Sequence, residues 1–477
     1  MAWWRKHRRK VTWALGLAAT LPATHLGLAL ATRIQPPRVE VPGAPQARSW
    51  VRVEAGLREV YLEGTPEQIG AENARLLRER MIADEGALWS DFEHYVPWWL
   101  ARVGIADWSR VRYRHLDDGV PDARRRELAA QSLAFAPDPF SSRMPTYQRM
   151  LFLHALYDIA LPLEHSPLIG CTSFAFPGVD GHELVGRAFD FEAGEVFDRD
   201  KVVYLVREDG AVPFASVAWP GFIGVVTGMN AEGVGLVVHG ARGGEPSPEG
   251  MPVAFSLRET LAHAHTADEA VALLRAQRVM VSHIVFVADG DGNVDIVERA
   301  PGQEAYVRKG RGRLWVTNAL EGPLATDPRN LRVRETTSSD DRAARVAELL
   351  DTLAHEPTDQ PLPGLDVRAD VRSALAVLRE HRCARGVACG LGDRRAIDGL
   401  IATHGIVADA TARVLWVGVG PHLSGAFVKV DLASLFAPDH DPTHDPPPET
   451  LPEDPILHDG RYDAVMSSRA KPDRSAR

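Results

Sequence analysis

Cysteine is scarce: the chain has three in 477 residues, at positions 171, 383 and 389. That is too few for a disulfide scaffold. No Gly-x-Ser-x-Gly elbow occurs, which argues against the common serine lipase or esterase design. No histidine sits in a clear catalytic motif. Basic residues form no stripe beyond the extreme N-terminus and the formal net charge is −10, so no nucleic-acid partner is expected. Asp289-Gly290-Asp291-Gly292-Asn293 begins like a calcium loop but lacks the twelve-residue ligand pattern and its closing Glu. A turn is expected there, and His440 and His444 read as part of a solvated tail. No metal site and no cofactor are expected, and there are no internal repeats.

What remains is an ordinary globular mixture, 45% hydrophobic and 25% charged, in a chain of 52.2 kDa. The N-terminus stands apart. MAWWRKHRRK carries six basic residues and no acidic one, and residues 11–32 run without a formal charge. Such a run is long enough to span a bilayer with its basic flank in the cytoplasm. It also resembles a signal sequence, with Ala29-Leu30-Ala31 as a small-x-small cleavage pattern. Either reading exports the rest. The catalytic part is then membrane-anchored outside the cytoplasm, or periplasmic or secreted if the segment is removed. In an exported chain Cys383 and Cys389 are spaced to pair; they are equally compatible with two reduced thiols.

The organisation along the chain reads as follows. Residues 1–33 form the anchor or signal, and 34–57 a linker rich in proline. Residues 58–170 form a mostly helical segment after a short strand, REVYLEG. Thr65 caps its first helix, with Pro66 at the first position and Gln68 completing a capping box. Residues 144–161 read as one amphipathic helix. Trp89, Trp98, Trp99 and Trp108 read first as core aromatics between helices, and second as an apolar surface near a membrane or an acyl chain. From Cys171 the pattern turns to short strands with Gly, Asp and Pro between them, interrupted by helices near 252–277 and 338–354. Thr266 and either Ser338 or Ser339 are candidate caps. Residues 171–436 thus read as stacked sheets with helices outside, and 437–477 as a disordered acidic, proline-rich tail.

GCTSFAF opens the strand-rich part and VGRAFDF follows it. Arg187 and Asp190 lie three apart, so in a regular strand they point to opposite faces, and a bulge or bend is needed to bring both to the Cys171 thiol. An arginine beside a thiol favours its thiolate. Taken alone, an Arg–Asp pair in a hairpin is more often a structural ion pair.

These residues resemble the choloylglycine hydrolase and acyl-coenzyme A:6-aminopenicillanic acid acyltransferase superfamily of N-terminal nucleophile hydrolases, to which acid-ceramidase-like amidases are related. The family's cysteine is followed fifteen residues later by G-R-N-x-D; here Gly186, Arg187 and Asp190 keep that spacing from Cys171. WPGFIGVVTGMNAEGVGLVVHG and LWVTNAL are similar to further family segments, as are REVYLEGTPEQIG and LFLHALYD, so the likeness runs over about residues 58 to 430. Two departures stand out: Ala188 replaces the motif asparagine, and His239 stands where many members carry asparagine.

The resemblance implies an α+β fold, a four-layer αββα sandwich of antiparallel sheets preceded by a helical pro-segment. It implies self-cleavage between Gly170 and Cys171, with Cys171 as nucleophile and its freed α-amine as base. An α-amine titrates at about 7.7–8.0, which suits a base near neutrality. Arg187, Asp190, Asn318 and Arg342 are the implied catalytic neighbours. Asn318 and a backbone N–H at His239 or Gly240 are the implied oxyanion donors. The implied partner is a small N-acyl amide, lipophilic if the tryptophans serve it. The two fragments are expected to stay associated after the cut. An alternative is a membrane-tethered binding or scaffold protein that keeps the fold without turnover, a reading favoured by Ala188 and His239.

Overall fold

Strands buried on both faces send successive side chains into different cores, and the cores form three layers. A computed structural model describes residues 22–41, 43, 49–161, 169–191, 195–354, 370–438 and 440–469. In the strand Val202–Glu208, Val202, Tyr204 and Val206 face one cluster while Val203 and Leu205 face another. That period of two requires packing on both sides of the sheet. The first cluster lies between this sheet and the helices Pro66–Tyr95, Asp122–Ala134, Thr146–His154 and Val253–His263. The second fills the space between two sheets. A third lies between the second sheet and the helices Ser339–Ala354 and Val371–Leu378. The fold is the four-layer αββα sandwich.

Among the described residues the first sheet has nine strands: Trp50–Glu54, Leu57–Gly64, Val202–Glu208, Phe214–Ala218, Thr227–Asn230, Gly235–Gly240, His283–Ala288, Asn293–Arg299 and Tyr306–Arg311 in spatial order. The second has seven: Leu314–Val316, Ile169–Pro177, Glu183–Phe191, Ala402–Asp409, Val414–Gly418, Phe427–Asp431 and Thr450–Leu451. All pairings are antiparallel except Leu57–Gly64 beside Val202–Glu208. That parallel pair joins the segment before Cys171 to the one after it, inside a single sheet.

A buried ion network makes the same junction. Arg124 and Glu127, from the helix Asp122–Ala134, meet Glu208 and Arg258. Arg258 donates to Glu127 at 3.1 Å and to Glu208 at 3.0 Å. Removing one member leaves an uncompensated buried charge.

Several local expectations hold. Thr65 and Gln68 form the capping box with Pro66 at the first position, and Thr266 caps its helix through Glu269 N. Asp289 accepts N–H bonds from Asp291 and Asn293 within the hairpin turn. Cys383 and Cys389 are joined as a disulfide.

Others are corrected. Residues 144–161 form two helices, Thr146–His154 and Leu156–Ala160, parted at Ala155. Trp98, Trp99 and Trp108 are 76%, 63% and 54% exposed, so they are not core aromatics. Within the proline-rich tail, residues 440–469 are ordered against the second sheet, with the edge strand Thr450–Leu451 and the helix Arg461–Arg469. The reason is local: Asp441 and Asp454 each cap a short 3-10 turn that starts with proline.

The expected anchor lies outside the described residues up to 21. Its remainder, 22–31, is helical, and Gln148 Nε2 holds the Thr32 carbonyl at 3.0 Å. Among the described residues no helix is long and apolar enough to cross a membrane.

His154 shows how the helical layer is fastened. Its ring stacks on Phe222 and Phe255, its Nδ1–H donates to Met150 O, and its Nε2 accepts the Ile223 N–H at 2.8 Å. Both ring nitrogens are satisfied only in the neutral form, and burial lowers the pKa to about 4. Between pH 6.5 and 4 the unfolded chain therefore binds a proton that the folded chain does not. The stability margin of wild type over His154→Gln should be whole above pH 6.5. It should shrink by about 3 kcal/mol as the pH falls to 4, as read by urea unfolding at each pH.

Candidate active site

Cys171 and Arg187 come together because their strands pair without a break. Ile169–Pro177 and Glu183–Phe191 are antiparallel in continuous register, with Gly170 opposite Asp190, Cys171 opposite Phe189 and Ser173 opposite Arg187. Odd-numbered residues of both strands face the space between the sheets, where Ala175 and Val185 pack. Cys171, Ser173, Arg187 and Phe189 share that face. The Arg187 guanidinium lies 4.8 Å from the Phe189 ring centre.

The bulge expected in this strand is absent. The irregularity lies in the neighbouring strand, between Ala402 and His404. Asp190 points away from the thiol's face and reaches the junction by another route. It sits directly against Gly170, where a Cβ would come within 2.9 Å of Asp190 Oδ2. A side chain at 170 would push that carboxylate aside. Ala188, the first departure from the family motif, also faces away, into the helix-side core with Phe174 and Phe176. Its change touches neither the thiol nor Arg187.

The backbone of Cys171 is held at both polar atoms. Its N–H donates to Asn318 Oδ1 at 3.0 Å. Arg342 Nη1 donates to the Cys171 carbonyl and, at 2.7 Å, to Thr172 Oγ1; Nη2 donates to Asn318 Oδ1 at 2.8 Å. Asn318 Nδ2 donates to the Gly240 carbonyl at 2.9 Å. The two serines that are candidate helix caps also position this set. Ser339 Oγ accepts the Asn318 N–H at 3.1 Å, and Ser338 Oγ accepts from Arg342 Nε at 3.2 Å.

His239 contributes its side chain. Nε2 accepts from Arg187 Nη1 at 3.2 Å and lies 2.9 Å from Ser173 Oγ. Burial, then Arg187 and Arg342, hold its pKa well below the usual range, so the ring is neutral and Nε2 is an acceptor. His239→Leu removes this acceptor from a fully buried guanidinium. The expected result is a loss of about 2–3 kcal/mol in denaturant unfolding, with His239→Gln recovering part of it.

Burial is also the largest influence on Cys171 itself. It pushes the thiol up, while Arg187 and Arg342 pull it back and Asp190 opposes them. The sulfur is therefore held as a thiol. Tyr157, from the helix Leu156–Ala160, is fully enclosed near the thiol and Arg187, and these three groups influence one another electrostatically.

Two cavities flank the Gly170–Cys171 junction. A polar one, with about 1280 Å3 of space partly open to solvent, is lined by Gly170, Asp190, Gly240, Asn318 and Arg342. An apolar one of about 950 Å3, also partly open, is lined by Met81, Leu88, Tyr157, Phe189, Trp219 and Phe222. Gly170 thus faces the polar side, and Tyr157 and Phe189 line the apolar side.

Cys171, Arg187, His239, Asn318 and Arg342 are linked here, while Asp190 lies against Gly170 on the other face. Tyr157, Thr172, Ser173, Ser338 and Ser339 were not foreseen as members of the site. Only Ser338 and Ser339 carried any signal, as presumed caps. Among the described residues, Cys383, Cys389 and Asp393 could group around a metal ion, but two of these are disulfide-bonded.

Residues 179–360 match the family model described as Acyl-coenzyme A:6-aminopenicillanic acid acyl-transferase. The N-acylethanolamine-hydrolyzing acid amidase of Cavia porcellus is 22% identical over 246 residues, 47% of this chain and 65% of that protein. An uncharacterized protein of Archaeoglobus fulgidus is 28% identical over 150 residues, 30% of this chain and 25% of that protein. The chain thus spans from a quarter to just under two thirds of these relatives. Among solved structures, the Caenorhabditis elegans ortholog of that acid amidase is 16% identical, with a TM-score of 0.36, covering 50% of this chain and 93% of the other. Penicillin V acylase from Agrobacterium tumefaciens is 19% identical, with a TM-score of 0.34, covering 55% and 91%. Residues 179–360, within paired sheets between helical layers, are thus similar to the acyl-coenzyme A:6-aminopenicillanic acid acyl-transferases.

Proposed function

We propose that this protein is a self-processed cysteine amidase that cleaves the carbon–nitrogen bond of an N-acyl amide, or passes its acyl group to another amine. The observation that carries this reading is the grip on Cys171: Asn318 on its N–H, Arg342 on its carbonyl, and Arg187 on the same face as its thiol.

Processing starts with the Cys171 sulfur attacking the Gly170 carbonyl carbon. The peptide C–N bond breaks, its nitrogen takes up the thiol proton, and Gly170 becomes a thioester on Sγ. Water then cleaves the thioester, freeing the thiol and a Gly170 carboxylate. Asn318 Oδ1, which accepts the Cys171 N–H in the uncut chain, is placed to hold the new α-amine.

In turnover the amine takes the thiol proton and the sulfur attacks the substrate carbonyl. The oxyanion forms beside Asn318 Nδ2 and Gly240. The amine product leaves with the proton, and water or an amine takes the acyl group. The apolar cavity beyond Tyr157 and Phe189 suits a lipophilic acyl chain, and the polar cavity the amine half. The acid amidases among the relatives agree with such a substrate.

A series of N-acyl amides of rising chain length, scored by amine release, tests the reading. The expected result is kcat/KM rising by about tenfold for each two methylenes buried, until the pocket is filled. Equal rates for acetyl and long-chain amides would remove the lipophilic assignment; no release from any of them by the cut protein would remove the amidase.

A further inference from the structure

The helix Trp99–Arg112 lies with its faces inverted. Beyond its first residue, Trp99, its exposed residues are Leu100, Ala101, Gly104, Ile105, Trp108 and Val111. They recur every three to four residues, form one continuous arc, and include no polar side chain. The only buried residue of the helix is Arg110, which donates to the Arg143 carbonyl at 2.7 Å. A surface helix normally presents the opposite arrangement. At its start Tyr95, Trp98 and the first helical residue, Trp99, are 79%, 76% and 63% exposed, so the apolar arc continues into an aromatic rim.

A second element extends the surface. The helical residues 22–31 are tied to this helix by His25 Nδ1, 2.8 Å from Asp107. Leu26 and Leu30 of that element are 61% and 63% exposed. It leads back in sequence to an uncharged stretch, 11–21, and a basic one, 1–10. Arg102, Arg112 and Arg114 flank the apolar arc with Asp107 as the only acid of the helix.

We propose that this face docks on the surface of a phospholipid bilayer with anionic headgroups. The helix would lie in the interface plane, with tryptophan and tyrosine at headgroup depth and arginines at the phosphates. Continuity with the basic and apolar N-terminal sequence, together with the flanking arginines, selects a bilayer over a second copy of this chain. The docking also places the enzyme beside its substrate. Leu88, which lines the apolar cavity, lies on the helix that ends at Tyr95, about 10 Å along its axis. Acyl chains leaving the bilayer then have a short path to the cavity. That last link rests on the amidase reading; the docking does not.

The test uses the full chain and vesicles of brominated phosphatidylcholine with about 30% phosphatidylglycerol, whose bromines quench tryptophan inside the bilayer. Wild type should be quenched. The quenching should persist in Trp3→Phe/Trp4→Phe/Trp13→Phe and fall by at least about half in Trp98→Phe/Trp99→Phe/Trp108→Phe, since phenylalanine keeps the face apolar. Absence of quenching in wild type overturns the proposal, as does loss only in the N-terminal set. Light scattering without lipid adds a further check. A wild-type dimer that Leu100→Glu/Ile105→Glu/Trp108→Glu turns into a monomer assigns the face to a second copy and overturns the bilayer. Failure of the chain-length series leaves the quenching result intact, so the two readings fail separately.

Discussion

Cys171→Ala should leave one intact polypeptide on a denaturing gel where the wild type shows two. The larger wild-type fragment should begin at Cys171, as read by N-terminal sequencing. Amide turnover should fall to background in the variant, because one residue supplies the sulfur and, after the cut, the base. Cys171→Ser separates the two roles. A hydroxyl can attack Gly170 but is far less acidic than a thiol, so slow cutting with a turnover loss of at least about 10³-fold is expected. Cutting that proceeds unchanged in Cys171→Ala would place the nucleophile elsewhere.

The fragments should co-elute on gel filtration after the cut. Two connections cross the boundary. The strand Leu57–Gly64 is paired with Val202–Glu208, and Arg124 and Glu127 are buried against Glu208 and Arg258. Separating the fragments would expose a sheet edge and strand buried charges, each costly.

Much of the fold is legible in the sequence because a sheet buried on both faces leaves short apolar runs bounded by turn residues, and a helix start carries its own cap. KVVYLVRE and Thr65-Pro66-Glu67-Gln68 were read that way and stand that way. The site is legible where it follows the chain: Cys171, Arg187 and Asp190 sit on one hairpin, and their motif spacing fixes their register. What crosses between the sheets is not legible. Ser173 meets His239 across 66 residues, and no local pattern announces that contact.

The tryptophans fail for a different reason. Spacing shows that Leu100, Gly104, Trp108 and Val111 share a face, but an apolar arc does not state which way it points. The tail fails because composition was read without its caps. The same Asp-Pro pairs that signal a solvated segment also begin the turns at Pro442 and Pro455.

Asn318→Ala should separate processing from turnover. In the uncut chain Asn318 acts through Oδ1, accepting from Cys171 N and Arg342 Nη2, while Nδ2 donates to Gly240 O. Arg342 keeps its own bonds to the Cys171 carbonyl and Thr172 without it, so the junction stays gripped on one side. Cutting should therefore be slowed but not lost. Turnover needs the Nδ2 donor where the oxyanion develops, and losing one such donor costs about 10²–10³-fold in kcat with little change in KM. Asn318→Asp keeps the acceptor for the α-amine and for Arg342 but presents a carboxylate to the oxyanion. It should process better than Asn318→Ala and turn over no better. A fall in KM affinity alone, with kcat intact in both variants, would make Asn318 a holder of the amine rather than a stabiliser of the transition state. Single-turnover rates on the cut protein, compared with the rate of cutting itself, distinguish the two roles.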